Sequence, residues 1–121
     1  ACGIGYGARL IADAVPLARV VGVDRSPPAI SYGKRHYARF DAGGRCELLE
    51  ADCLALPFAP GFFNVVVSFE TLEHLDAAAF MAEPARVLHP GGLLIASTPN
   101  QDVLPWTPAY EHHLRHYTGP E

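Results

Sequence analysis

The chain has 121 residues, of which 50% are hydrophobic and 18% charged, a balance that suits one folded domain at most rather than a disordered chain. Its net charge of −4 offers no bulk electrostatic grip on nucleic acid or anionic lipid. Apolar runs such as Leu93-Leu94-Ile95-Ala96 fall far short of the ~20 residues a membrane helix needs, and Cys2, Cys46 and Cys53, an odd set without a C-x-x-C pair, exclude a disulfide framework or a zinc knuckle.

Helix-like and strand-like stretches alternate along the chain, with no repeat and no low-complexity linker. Ala8 to Val15 reads as a short helix ended by Pro16, which cannot continue the backbone ladder. Arg19 to Val23 is a β-branched run stopped by Asp24, continuous in the manner of strands buried on both faces. Ser26-Pro27-Pro28 opens the next helix, with a serine cap and proline in the first turn, and this helix runs to about Tyr37 before a turn at Gly43-Gly44. Arg45 to Glu50 is the second strand and Phe63 to Phe69 the third. Asp76 to Leu88 is helical by composition, but Pro84 inside it predicts a kink or restart, since it lacks a donor and crowds the Phe80 carbonyl at a cost of about 3 kcal/mol. Gly91-Gly92 turns the chain into a fourth strand, Leu93 to Thr98, and Pro99 to Pro108 is a long loop of the kind that forms binding loops and lids.

Alternating strands and helices imply parallel pairing through right-handed crossovers in a three-layer α/β sandwich, whose ligands sit at the carboxyl ends of the strands. The residues after each strand therefore carry the chemistry. Ala1-Cys2-Gly3-Ile4-Gly5-Tyr6-Gly7 lets the backbone turn tightly beside a ligand, with helix N–H groups behind it; it also satisfies the G-x-G-x-x-A dinucleotide pattern, and a plain glycine-rich turn is the bland alternative. Asp24 can accept both hydroxyl protons of a ribose, and because Ser26 is the better placed helix cap, Asp24 is left free for that role. Asp52 can accept from an exocyclic amine while the Cys53 N–H donates to a ring nitrogen, with Ile4 and Leu54 flanking an adenine; a polar turn is the alternative.

Taken together these segments resemble the class I S-adenosylmethionine-dependent methyltransferases over nearly the whole chain. The glycine segment is similar to the family's D-x-G-x-G-x-G turn, with Ala1 at the first glycine position and Gly3 and Gly5 at the next two. Asp24 matches the ribose-binding acid, and Asp52 and Cys53 match the adenine-reading pair. Leu56-Pro57-Phe58 with Phe62-Phe63-Asn64-Val65-Val66 resembles "LPF…FDVV", Asn64 standing for the usual aspartate, and Arg86 to Gly92 resembles "RVLKPGG". The resemblance decides against a nicotinamide cofactor. It implies a Rossmann-like sheet of order 3-2-1-4-5-7-6, S-adenosylmethionine as cofactor, and in-line methyl transfer that depends on aligning the acceptor and excluding water. It also places Phe69 and Glu70 at the cofactor's sulfur end.

On the acceptor side, Glu70, Glu73 and His74 form an E-x-x-E-H pattern whose i, i+3, i+4 spacing puts them on one face, and His113 in the stretch Glu111 to Thr118 is a further candidate. The pattern resembles ubiquinone-pathway O-methyltransferases and small-RNA 2′-O-methyltransferases, and in the latter such residues hold a metal. Three readings stay open: a structural turn in which Glu73 caps backbone amides and His74 packs beneath the site, His74 as general base, and a metal site that requires His113 to reach Glu70, Glu73 and His74. His74 is carried forward as the catalytic residue, and no metal is assigned. His112, His113, Arg115, His116 and Tyr117 either contact an anionic or hydroxylated acceptor or form a solvated loop, and Trp106 and Tyr110 either line a pocket or anchor that loop.

The function expected is methyl transfer to oxygen or nitrogen of a small-molecule acceptor by a cytoplasmic enzyme with no membrane partner. The alternatives are a metal-assisted RNA 2′-O-methyltransferase, against which the acidic balance and the single lysine Lys34 argue, and a non-catalytic cofactor-binding relic. Ala1 falls inside the turn that follows the family's first strand, and Thr118-Gly119-Pro120-Glu121 reads as a capping box. Residues 1–121 are thus expected to be a partial domain lacking the first strand and the last two strands, and so aggregation-prone and a poor binder of S-adenosylmethionine when isolated.

Overall fold

The computed structural model describes residues 1–37 and 43–119. They form two compact units, Ala1–Ala55 and Leu56–Glu121. Half of the expected capping box, Pro120 and Glu121, lies outside the described residues.

The first unit runs α1 (Tyr6–Ala14), β1 (Val20–Asp24), α2 (Pro27–His36) and β2 (Cys46–Glu50). The helix α1 starts two residues before the hydrophobic pattern suggests, directly out of the glycine turn. Gly5, in the left-handed region at φ 81°, is its N-cap. A side chain there would be doubly refused: its Cβ would lie 2.5 Å from a methyl of Leu48, which is itself buried to 1% exposure. The α2 entry is as expected, with Ser26 Oγ accepting from the Ala29 N–H, Pro27 and Pro28 in the first turn, and Lys34, Arg35 and His36 at the carboxyl end where the helix dipole favours cations. β1 and β2 pair in parallel, from Val20 opposite Cys46 to Asp24 opposite Glu50. Ala8, Ala12, Ile30, Cys46 and Leu48 form the core, with Cys2 and Val20 packed against it.

The second unit runs β3 (Phe63–Phe69), a 3₁₀ turn (Leu72–His74), α3 (Ala77–Val87) and β4 (Leu88–Ser97). Asp76 caps α3, its Oδ1 accepting from the Ala79 N–H at 2.9 Å. The restart expected at Pro84 does not occur; α3 is one helix from Ala77 to Val87. Phe80, Pro84 and Val87 are all buried along one stripe, so the packing of that face offsets the single lost ladder bond.

β4 also departs from expectation. It leaves α3 at once, at Leu88, instead of after a Gly91-Gly92 turn. Leu88 partners Phe63, and the next partners are Val65 and Leu93, so His89 to Gly92 bulge out opposite the single residue Asn64. Gly91, at φ 84°, supplies the backbone conformation such a bulge needs. Beyond it the parallel pairing is regular to Phe69 opposite Ser97. The adjacent pairs β1–β2 and β3–β4 are those the order 3-2-1-4-5-7-6 places side by side as 2–3 and 4–5.

Arg86 clamps the loop that enters this unit. Its guanidinium donates to the Phe58 carbonyl at 2.7 Å and the Leu56 carbonyl at 2.8 Å, and pairs with Glu83, whose Oε2 accepts from the Leu56 N–H. The Arg86 hydrogen bonds and the Leu56 amide pull the Glu83 carboxyl down to about 2. A carboxylate with a depressed folded-state value stabilises the fold above its ordinary range and loses that contribution as pH falls toward the folded-state value. Urea midpoints measured from pH 6 to pH 2.5 will therefore fall with pH, and Glu83→Gln will start lower at pH 6 and show a shallower fall. A variant with the wild-type slope would assign the acid sensitivity elsewhere.

Candidate functional site

In the first unit the strand ends carry the residues expected to hold a cofactor. The glycine turn is stitched to β1 by the Cys2 N–H on the Val23 carbonyl at 2.8 Å. Gly3 sits at φ 55° with nothing within 4 Å of where a side chain would begin, so its backbone is open to approach. No side chain caps α1, whose first-turn amides stay available to an anion. Ala1 is exposed beside them.

Asp24 is not free, contrary to the sequence-based expectation. It is 9% exposed; Oδ2 accepts from the Gly3 N–H at 2.7 Å and Oδ1 from the Ser26 N–H at 2.9 Å. Serine does cap α2, but the Ser26 amide itself needs an acceptor, and Asp24 supplies it. A carboxylate has about four lone-pair directions, so two backbone bonds leave capacity for ribose hydroxyls. Asp24 thereby ties the glycine turn to the start of α2.

Asp52 and Cys53 follow β2. Asp52 Oδ1 accepts from the Leu54 N–H at 2.8 Å, and Ile4 and Leu54 are 40% and 37% exposed, apolar surface of the kind that flanks an adenine. The two half-buried thiols of this unit are chemically quiet. Burial pushes Cys53 up, and burial together with the Asp24 charge pushes Cys2 up to about 11. Cys2 thus presents roughly a hundredfold less thiolate at neutral pH than an ordinary thiol. Iodoacetamide at pH 7.5 will label it about a hundredfold more slowly than free cysteine, as followed by mass spectrometry.

In the second unit β3 ends on exposed Phe69 and on Glu70, whose φ of 50° is the one left-handed non-glycine backbone among the described residues. Two bonds to one residue hold it there: the Glu70 N–H on the Ser97 carbonyl and Ser97 Oγ on Glu70 Oε1 at 2.7 Å. The next turn buries Glu73 to 1% exposure. Its Oε2 accepts from Thr98 Oγ1 at 3.0 Å, its Oε1 lies 3.8 Å from His74 Nε2, and its carbonyl accepts from the Leu114 N–H.

His74 donates from Nδ1 to the His112 carbonyl at 2.8 Å, which leaves the lone pair of the neutral ring on Nε2. His113 packs edge-on against His74, ring centroids 4.7 Å apart, and Tyr110 stacks on His113. The rings of His74, Tyr110 and His113 line a cavity of about 300 Å³ with Ala109, Glu111 and His112. His113 joins Glu73 and His74, but Glu70 is not among them: its carboxylate is held by Ser97, so the set of Glu70, Glu73, His74 and His113 that a metal site required is not assembled. Trp106 anchors the loop, donating from Nε1 to the His113 carbonyl at 2.8 Å. His116, expected either to contact an acceptor or to lie in a solvated loop, is instead 5% exposed and bonded to both His113 and the Leu104 carbonyl.

Residues 1–96 match the family described as "Methyltransferase domain", and the chain belongs to that family. A "Probable S-adenosylmethionine-dependent methyltransferase" of Mycolicibacterium smegmatis is 40% identical over 101 residues, 83% of this chain and 36% of that protein. The demethylmenaquinone methyltransferase of Thermus thermophilus is 38% identical over 97 residues, 78% of this chain and 43% of its own. This chain therefore spans less than half the length of either relative. Among solved structures, geranyl diphosphate methyltransferase in complex with SAM superposes with a TM-score of 0.82 over 96% of this chain and 50% of that one, at 20% identity, a likeness of fold. The fold is the α/β, Rossmann-like methyltransferase fold with parallel strands, and the cofactor that family membership implies is S-adenosylmethionine. The open glycine turn, the uncapped α1 amides and the spare acceptor capacity of Asp24 fit that molecule's carboxylate and ribose.

Proposed function

We propose that the protein transfers a methyl group from S-adenosylmethionine to oxygen or nitrogen of a small-molecule acceptor, with His74 taking the acceptor's proton. The observation that carries this reading is the hydrogen bond from His74 Nδ1 to the His112 carbonyl, which leaves Nε2 as the acceptor of a half-exposed ring lining an open depression of about 300 Å³. When bound, S-adenosylmethionine supplies an electrophilic methyl on a sulfonium that departs as a neutral thioether. The Gly3–Gly5 turn and the α1 amides would hold its carboxylate, Asp24 its ribose, and Asp52 and the Cys53 amide its adenine beside Ile4 and Leu54; Phe69 is the residue that the family resemblance assigns to its sulfur end. As that methyl passes to the acceptor's oxygen or nitrogen, His74 would take the acceptor's proton at Nε2.

A small acceptor, and not a nucleic acid, agrees with the net charge of −4 and with the quinone-pathway name of the Thermus relative. No helix among the described residues is long and apolar enough to cross a membrane, and three cysteines not joined in disulfides agree with a cytoplasmic site of action. The test is transfer from methyl-labelled cofactor by the full-length protein into a fractionated cell extract. Label will appear in the small-molecule fraction and resist added salt; label confined to RNA or protein would overturn the assignment.

A further inference from the structure

We propose that a second hollow in this unit, at the carboxyl end of β4, binds a neutral polyhydroxylated ligand of the sugar class. Its volume is about 350 Å³. Leu72 and Ala96 give it an apolar wall, Ser97, Thr98, Asn100 and Tyr117 supply polar groups, and no side chain lining it is charged. The 3₁₀ turn links it to the depression beside His74, since Leu72 lines one and His74 the other. The inference rests on the small-molecule acceptor proposed above, whose non-reacting part the second hollow seats.

Hydrogen bonds fix what each wall residue can offer. Ser97 Oγ donates to Glu70 Oε1 at 2.7 Å and Thr98 Oγ1 to Glu73 Oε2 at 3.0 Å, so each hydroxyl has spent its one proton and keeps only lone pairs. Donation to a carboxylate also makes each oxygen a stronger acceptor. Asn100 is the reverse case: its Oδ1 accepts from the Asp102 N–H at 2.8 Å, which leaves its NH₂ to donate. Alcohol groups suit both kinds of partner, because each donates and accepts. An ammonium group only donates and leaves the Asn100 NH₂ unmet. A phosphate or carboxylate only accepts, and it faces lone pairs backed by the charges of Glu70 and Glu73. Tyr117 adds an independent observation. Its hydroxyl is the one buried side-chain polar atom among the described residues that has no hydrogen-bond partner. Such a group weakens the unliganded fold, and a ligand oxygen beside it removes that cost. The Arg115 guanidinium lies 4.4 Å from the centre of the Tyr117 ring, a contact that survives loss of the hydroxyl.

Glucose, glucose 6-phosphate and glucosamine titrated into the full-length protein without cofactor, followed by amide NMR shifts, test the site apart from any activity. Glucose at concentrations of order 10 mM will shift the Thr98 and Asn100 amides, and the two charged analogues will bind at least ~10-fold more weakly. Tyr117→Phe will weaken glucose binding about three- to tenfold and yet raise the urea midpoint of the unliganded protein. Asn100→Asp, which keeps the contact to the Asp102 amide but sets an acceptor where the NH₂ donated, will weaken binding by about the same factor. His74→Ala will bind glucose as the wild type does, so failure of methyl transfer and failure of this site are separate results. Absence of shifts, an equal or tighter response to either charged analogue, unchanged binding by either hollow variant, or a Tyr117→Phe midpoint below wild type would overturn the site.

Discussion

Asp24→Ala will destabilise the first unit and remove cofactor binding together. The substitution leaves the Gly3 and Ser26 amides without their acceptor in a nearly buried position. Each such orphaned donor costs about 1–3 kcal/mol, so a loss of about 2–5 kcal/mol is expected in urea unfolding. Affinity for S-adenosylmethionine, read by calorimetry, will fall by at least ~10-fold from loss of a charged acceptor on the ribose, and further if the glycine turn loosens. Asp24→Asn will recover only part of either property: its oxygen serves one amide, but its NH₂ group meets the other donor. An alanine variant with an unchanged urea midpoint would show that the two amides find other partners.

His74→Ala will lower kcat by about 10²–10⁴-fold with little change in KM, measured with the labelled cofactor in chelator-treated buffer. The discriminating control is the acceptor. Against one whose hydroxyl is already ionised at the assay pH, the variant will approach the wild-type rate, because no proton remains to be taken. His74→Gln will behave as His74→Ala does, since an amide can keep the contact to the His112 carbonyl but accepts no proton at neutral pH. A uniform loss across all acceptors would assign His74 to packing.

Much of the first unit was legible because its signals are local. Ser26 with Pro27 marks a helix start whatever follows, and Val20 to Val23 reads as a strand because β-branched side chains suit one. The glycine turn was visible too, although the sequence did not show that Leu48 closes over Gly5. Where reading stopped short, the competing force came from elsewhere in the chain. Pro84 argues for a break only if the helix is judged alone; the buried stripe of Phe80, Pro84 and Val87 carries it through. Gly91-Gly92 looks like a turn, yet pairing with β3 makes it a bulge. Arg86 looked like a family signature, while its physical work is to gather two loop carbonyls and one carboxylate.

The acceptor side shows the division most clearly. The E-x-x-E-H spacing brings three groups into one short stretch, but spacing cannot tell which carboxylate turns inward. Glu73 is buried and Glu70 is taken by Ser97, a partner supplied by β4. Nor can it join His113 to His74, which stand 39 positions apart with α3 and β4 between them.

The sequence by itself determined the order of strands and helices, the glycine turn and the acids at the strand ends, because propensity, capping and close backbone approach act over a few residues. Tertiary structure alone decided which amides Asp24 serves, which glutamate is buried and which nitrogen of each histidine carries a lone pair. Those depend on partners brought near by folding, and a hydrogen bond is set by distance and direction in space, not by separation along the chain.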